Sequence, residues 1–235
     1  MSMRRFLLLA LVSAWTVNAQ IDWAAEIAKK LPKGEVATAL FNGTDLTGWD
    51  GQEAIWSVAN GAIRGANEGH VPSSTYLFTE KSYRNFRLLV EVKQTRSSKL
   101  SAMHSAIAAL GERFTDKGEN AHGFKGPLLM CCNDWGIWDA YRRNRLVPKG
   151  HRGTLKTKSE RVGNWNKIEI LVIENRIRFV NNGMLVFDFT DSPEMLKACP
   201  IGLQIHSNRK AQEFHFRGLQ VVEEPTDALV TLKGE

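Results

Sequence analysis

Apolar and polar positions alternate with a period of two over much of the chain. Across residues 86–93, Phe86, Leu88, Val90 and Val92 fall on one side, while Arg87, Glu91 and Lys93 fall on the other. Successive side chains of a strand point to opposite faces, so this pattern predicts a half-buried β-strand. Residues 168–173 and 176–180 read as strands too, and the second of them meets 184–189 across Asn181-Asn182-Gly183. Asn-Gly between apolar runs predicts a tight hairpin, because both residues tolerate positive φ. Further on, Ile201, Leu203 and Ile205 alternate with Gly202, Gln204 and His206, and Phe214 and Phe216 alternate with His215 and Arg217. One short amphipathic helix is predicted over residues 22–31, with Ile27 and Leu31 on one side and Pro32-Lys33-Gly34 as its stop. Many short strands without a long helical period predict an all-β fold of two antiparallel sheets. The polar stretch 111–123 reads as a long loop, of the kind that often carries function.

Composition narrows the picture. The 235 residues suit one large β domain, and 43% apolar content supplies a sizeable core. The net charge of +6, from 31 basic and 25 acidic residues, is spread thinly. Arg142, Arg143 and Arg145 form the densest basic cluster, too short for a nucleic-acid groove, so no nucleic-acid partner is expected. Arg4 and Arg5 precede an apolar run over residues 6–17, and Val17-Asn18-Ala19 offers a cleavage point. This order predicts a secretory signal over residues 1–19 and a secreted or periplasmic protein. The run is shorter than the roughly 20 residues that cross a bilayer, so no membrane span is expected after cleavage. Cys131 and Cys132 are neighbours, so in a strand only one of them can face Cys199. A single bridge to Cys199 and three buried free thiols both remain open. Their spacing does not suit a structural zinc site.

Several segments resemble the 3-keto-disaccharide hydrolase domain family. Leu40-Phe41-Asn42-Gly43-Thr44-Asp45-Leu46-Thr47-Gly48-Trp49 is similar to its opening motif, and Trp56-Ser57-Val58-Ala59-Asn60-Gly61-Ala62-Ile63 to the hairpin that follows. Trp165-Asn166-Lys167-Ile168-Glu169-Ile170, with Asn175-Arg176-Ile177 and Asn182-Gly183, resembles its central hairpin. Pro200-Ile201-Gly202-Leu203-Gln204-Ile205-His206 and Phe214-His215-Phe216-Arg217-Gly218-Leu219 are similar to its closing strands. The resemblance implies a concanavalin-like jelly-roll sandwich over residues 38–223, flanked by a helix and linker over 20–37 and a tail over 224–235. The family's Glu-x-Gln strand resembles Gly126-Pro127-Leu128-Leu129-Met130-Cys131-Cys132-Asn133-Asp134 here, with the acidic and amide positions apolar. The chain therefore reads as a divergent branch.

The resemblance implies a substrate, a glycoside already oxidised to a ketone at ring carbon 3. The ketone acidifies the C2 proton, a base removes it, and the resulting enolate expels the group at C1 before water adds. Such a site needs a general base and a group that holds the enolate oxygen, not the two opposed carboxylates of ordinary glycosidases. His206 and Gln204 share the strand face opposite Ile201, Leu203 and Ile205, which one sheet can leave open as a groove. His206 and His104 are the candidate bases, with Glu91 as a third catalytic candidate because it points away from the apolar side of its strand. Glu169 has a similar position, but Leu171 and Ile173 beside it argue for burial. Asp134, Trp135, Trp138, Asp139 and Tyr141 form a polar and aromatic cluster suited to the apolar faces and hydroxyl edges of sugar rings. Arg142 follows with a guanidinium able to fork onto oxygens. A divalent metal is one way to hold an enolate; the candidate ligands lie on separated strands, so no cofactor is assigned and a metal stays open. The expected partner is an oligosaccharide or glycoside. The alternative is a carbohydrate-binding module without catalysis, and a third reading is an adhesion sandwich that contacts protein.

Overall fold

The computed structural model describes residues 23–96, 103–115, 121–131, 135–149 and 159–233. The signal-like residues 1–19, Cys132 and Asp134 lie outside them. One helix, α1 (Trp23–Ala28), precedes the strands β1 (Thr38–Ala39), β2 (Trp49–Asp50), β3 (Trp56–Ala59), β4 (Ala62–Asn67) and β5 (Thr75–Tyr83). Next come β6 (Phe86–Arg96), β7 (Ala106–Ala108), β8 (Glu112–Phe114), β9 (Gly123–Met130), β10 (Ile137–Ala140) and β11 (Arg145–Val147). The chain continues through β12 (Asn166–Ile173), β13 (Arg176–Asn181), β14 (Met184–Thr190), β15 (Cys199–Ile205) and β16 (Gln212–Glu223).

These strands form a concanavalin-like jelly roll of two eight-stranded antiparallel sheets. Sheet I runs β14-β13-β12-β6-β16-β4-β3, with β1 added to β16. Sheet II runs β11-β10-β9-β7-β15-β5-β2, with β8 added to β9. The alternating residues do what their period predicts. Phe86, Leu88, Val90 and Val92 of β6 join Ile168 and Ile170 of β12 and Phe214 and Phe216 of β16 in the layer between the sheets. Leu77, Ile107, Leu129, Ile201, Leu203 and Ile205 enter the same layer from sheet II. Each such side chain, once buried, contributes about 1.5–3 kcal/mol.

Two Asn-Gly turns set the register of their hairpins. Asn60 and Gly61 have φ of 52° and 69°, and Asn182 and Gly183 have 53° and 85°, the left-handed pair that a twisted two-residue hairpin requires. Two expectations change. The helix is shorter than 22–31 and gives way to a turn at Lys29. The stretch 111–123 is not a plain loop, since Glu112–Phe114 pairs with β9 through Arg113 and Phe124. Cys131 and Cys199 are buried free thiols, one between the sheets and the other on the far side of sheet II. Burial pushes Cys131 up to about 12 and Cys199 up to about 11. Among the described residues no helix is long and apolar enough to cross a membrane.

The two sheets treat their outward faces differently. On sheet I the face is charged and partly roofed by the residues around α1 and after β16. Arg87, fully buried, donates to Glu35 at 3.1 Å, to Glu169 and to the Ala228 carbonyl at 2.7 Å. Glu169 also accepts from the Thr231 amide at 2.9 Å and the Thr231 hydroxyl at 2.6 Å, and Glu35 from the Thr226 amide at 2.8 Å. Burying three charges is tolerable only because each is matched and hydrogen-bonded. The network clasps residues 226–231 against the sheet.

Candidate functional site

The outward face of sheet II carries small and flat side chains rather than charges. Tyr76 and Phe78 of β5 point away from the core that holds Leu77, and Gln204 of β15 points away from the core that holds Leu203. Ala106 and Ala108 of β7, Leu128 and Met130 of β9 and Ala140 of β10 complete this face. The alanines and Gly202 keep its middle low. Phe78 and Phe124, with ring centroids 6.3 Å apart, fill one part, and a Cβ on Gly202 would meet the Phe78 ring at 2.6 Å. Beyond Tyr76 the face opens into a cavity of about 640 Å³ bounded by His104, His206, Trp135, Trp138 and Tyr141.

Four rings make a continuous wall. His206 and His104 lie 4.1 Å apart between centroids, His104 and Trp135 5.2 Å, and Trp135 and Trp138 6.4 Å. His206 Nδ1 sits 2.6 Å from the Ser207 carbonyl. A carbonyl only accepts, so Nδ1 carries the hydrogen and Nε2 keeps the lone pair of a base. Burial holds this imidazole below the ordinary histidine value of 6.5, despite the opposing bond to Ser207.

Gln204 and Tyr76 add the polar floor. Gln204 Nε2 donates to the Tyr76 hydroxyl at 3.0 Å, while Gln204 Oε1 is buried without a hydrogen-bond partner. Burial raises the Tyr76 phenol, which therefore stays protonated as a neutral donor. Tyr141 stands at the rim, 57% exposed, with Phe114 edge-on at 5.1 Å and its amide held by Asn144 Oδ1 at 3.0 Å. This neutral, aromatic, hydroxyl-lined hollow suits a sugar ring, which offers apolar C–H faces edged by donors and acceptors.

The structure thus brings His206, His104, Gln204, Trp135, Trp138 and Tyr141 together. It separates the others. Glu91 lies on sheet I, where Arg217 holds its carboxylate at 3.0 and 3.2 Å, so it does not share a groove with the histidines. Its strand does present an outward face, but of the wrong sheet. Asp139 alternates with Trp138 and so turns away from the cavity; fully buried, it accepts from Arg142 at 2.7 Å and from Arg143. Arg142 is committed to Asp139 and the Met195 carbonyl, a structural tie rather than a sugar contact. Asp134 is outside the described residues. Tyr76, Ser74, Asn144 and Leu146 also line the cavity and were not anticipated. Leu128 and Met130 show that the strand likened to the family's Glu-x-Gln strand turns apolar side chains into the groove. As a metal site the described residues do not fit: the cavity offers two imidazoles, and no group of three His, Cys, Asp or Glu is placed to hold an ion.

Fold and groove define a concanavalin-type sandwich with a ligand hollow on one sheet. The chain belongs to the family of 3-keto-alpha-glucoside-1,2-lyase-like domains, which it matches over residues 36–222, and is thereby a carbohydrate-active domain. Among solved structures it is similar to a candidate glycosyl hydrolase of Parabacteroides distasonis ATCC 8503, with a TM-score of 0.52 and 19% identity. That match covers 80% of this chain and 93% of the other. The carbohydrate-binding module CBM66 of Bacillus subtilis aligns with a TM-score of 0.53 at 13% identity, covering 79% of this chain and 100% of that one. The exoplasmic/lumenal domain of VIP36, solved with Ca²⁺ and Man3GlcNAc, aligns at 0.50 and 10% identity over 82% of this chain and 90% of its own. At these identities the likeness is one of fold. No curated protein matches.

Proposed function

We propose that this domain cleaves 3-keto-glycosides in the sheet II cavity by removing the proton on C2 of the sugar, with His206 as the base. The observation that carries the reading is the Nδ1 bond to the Ser207 carbonyl, which reserves the Nε2 lone pair, together with burial that keeps the ring neutral at pH 7. Nε2 takes the C2 proton, and the C–H electron pair forms the enolate with its charge on the C3 oxygen. The Tyr76 phenol, kept protonated by burial, is a donor suited to that oxygen. As the enolate collapses it expels the C1 oxygen, and the His206 imidazolium returns the proton to the leaving group. Water then adds across the C1=C2 bond. Trp135 and Trp138 offer flat faces to the ring, and Gln204, through its bond to the Tyr76 hydroxyl, orients the donor. The family match supports the substrate class, and the residues before position 20 support action outside the cytoplasm.

The test is turnover of a chromogenic 3-keto-glucoside by the purified domain and by His206→Asn. General-base loss typically costs 10²–10⁴-fold, so turnover should drop by about that much while the thermal midpoint holds. Equal turnover by the variant would remove His206 from the mechanism. A second reading, sugar binding without chemistry, is favoured by the apolar Leu128 and Met130 in the groove; saturable sugar binding by a protein with no turnover would establish it.

A further inference from the structure

A second cavity, of about 370 Å³, lies on the outward face of sheet I, on the other side of the sandwich from the histidines. Five segments meet there: α1 gives Trp23, the approach to β12 gives Arg161 and Trp165, β12 gives Lys167, the β13–β14 turn gives Asn182 and Gly183, and the residues after β16 give Thr231 and Lys233. Among the described residues its charge is one-sided. Several other cations of this sheet are matched, Arg87 by Glu35 and Glu169, Arg217 by Glu91, Arg64 by Glu213, and Arg178 by Asp227, while Lys93 stands over the Trp165 ring at 5.1 Å. Among the described residues, Arg161, Lys167 and Lys233 have no carboxylate within ion-pair distance, and no acidic residue lines the cavity. Three cations around one hollow repel one another, and an incoming anion relieves that repulsion.

The walls are fixed before any ligand arrives. Thr231 is bound through its amide and hydroxyl to the buried Glu169. The turn at Asn182 is tied to the Ser159 carbonyl at 2.7 Å, to Asn166 at 2.9 Å and to the Lys167 amide at 3.0 Å. The Lys233 stem packs over Gly183, where a side chain would collide with it. Two indoles complete the lining; Lys167 Nζ stands 5.7 Å from the Trp23 ring, and the Arg217 guanidinium 4.0 Å from the Trp165 ring. Preorganised cations beside flat apolar surfaces recognise a ring that carries an anion.

We infer that this cavity is a second saccharide site, selective for an acidic sugar unit such as a uronate, and independent of the chemistry proposed for the groove. The cations would hold the carboxylate and the indoles the ring.

Calorimetric titration of the full chain at low salt, with glucuronate, glucose and sodium sulfate in separate runs, tests it. Saturable binding of glucuronate over glucose and over sulfate is expected, reduced at least fivefold in Lys167→Ala and in Lys233→Gln and weakened by added salt. Both side chains are solvent-exposed, so the variants should fold, and unchanged thermal midpoints would confirm it. Absence of glucuronate binding, or sulfate binding as tight as glucuronate, overturns the inference. So does glucuronate binding that survives in both lysine variants but is lost in Trp138→Ala, which would place the ligand in the groove.

Discussion

The two outward faces of the sandwich are made from strands of the same period yet end as opposite surfaces. On sheet I, Arg87, Glu91, Glu169, Arg178 and Arg217 point outward and are neutralised in pairs, some of them completely buried under residues 226–231. On sheet II the outward positions of the central strands are Tyr76, Phe78, Ala106, Ala108, Leu128, Met130 and Gln204, and among the described residues the face beyond Tyr76 opens into the cavity. Outward polarity in a strand therefore does not mark a ligand surface. In this protein much of the charged face is a closure that binds the chain to itself, and the larger of the two hollows described above lies on the nearly uncharged face.

The largest effect that separates the two faces should come from Arg87→Met. It leaves Glu35 and Glu169 buried without their shared cation, a loss of about 3–5 kcal/mol, or on the order of 10 °C in thermal midpoint for a chain of this size. A change under about 1 kcal/mol by denaturant unfolding would mean that the clasp contributes little. Gln204→Met should do the reverse. An unpartnered buried acceptor costs about 1–3 kcal/mol, so removing Oε1 should leave the midpoint unchanged or higher while weakening sugar binding. A clear drop in stability would show the amide to be structural, like the polar groups of sheet I.

The smallest effect is in pH. The folded value of His206 lies below the ordinary 6.5. Between the two the unfolded chain binds the proton first, so the stability its neutral ring contributes is complete above 6.5 and declines as pH falls through that window. The acid limb of kcat/KM for the proposed reaction should accordingly have its midpoint below 6.5. A limb centred at or above 6.5 would mean that another group sets it.

Much of this contrast was legible in the residues, and what was not legible has particular causes. Alternation identified β6, β12, β13, β15 and β16, and Asn181-Asn182-Gly183 identified a hairpin, because these signals are local. Parity also placed Gln204 and His206 opposite Ile201, Leu203 and Ile205, and the cavity lies on that side. Parity alone does not say which sheet a strand joins. Glu91 is outward on β6 as Gln204 is outward on β15, and only long-range pairing, with β6 between β12 and β16, sends them to different surfaces. Asp139 lies away from the cavity for a different reason. Its parity with Ile137 already set it against Trp138, but its proximity in sequence to the tryptophans outweighed that. Tyr76 went unseen since its strand, Thr75–Tyr83, mixes Thr, Glu, Lys and Ser with aromatics and lacks a clean alternation.

The Arg87 clasp has a practical side. Trp23 and Thr231 border the same hollow on sheet I, across two layers that pack about 10 Å apart from the floor of the groove. A linker spliced beside either residue would leave on the side away from His104 and His206. The domain could then be tethered to a bead, a lipid or a neighbouring module with its groove still presented to a polymer too large to diffuse around it.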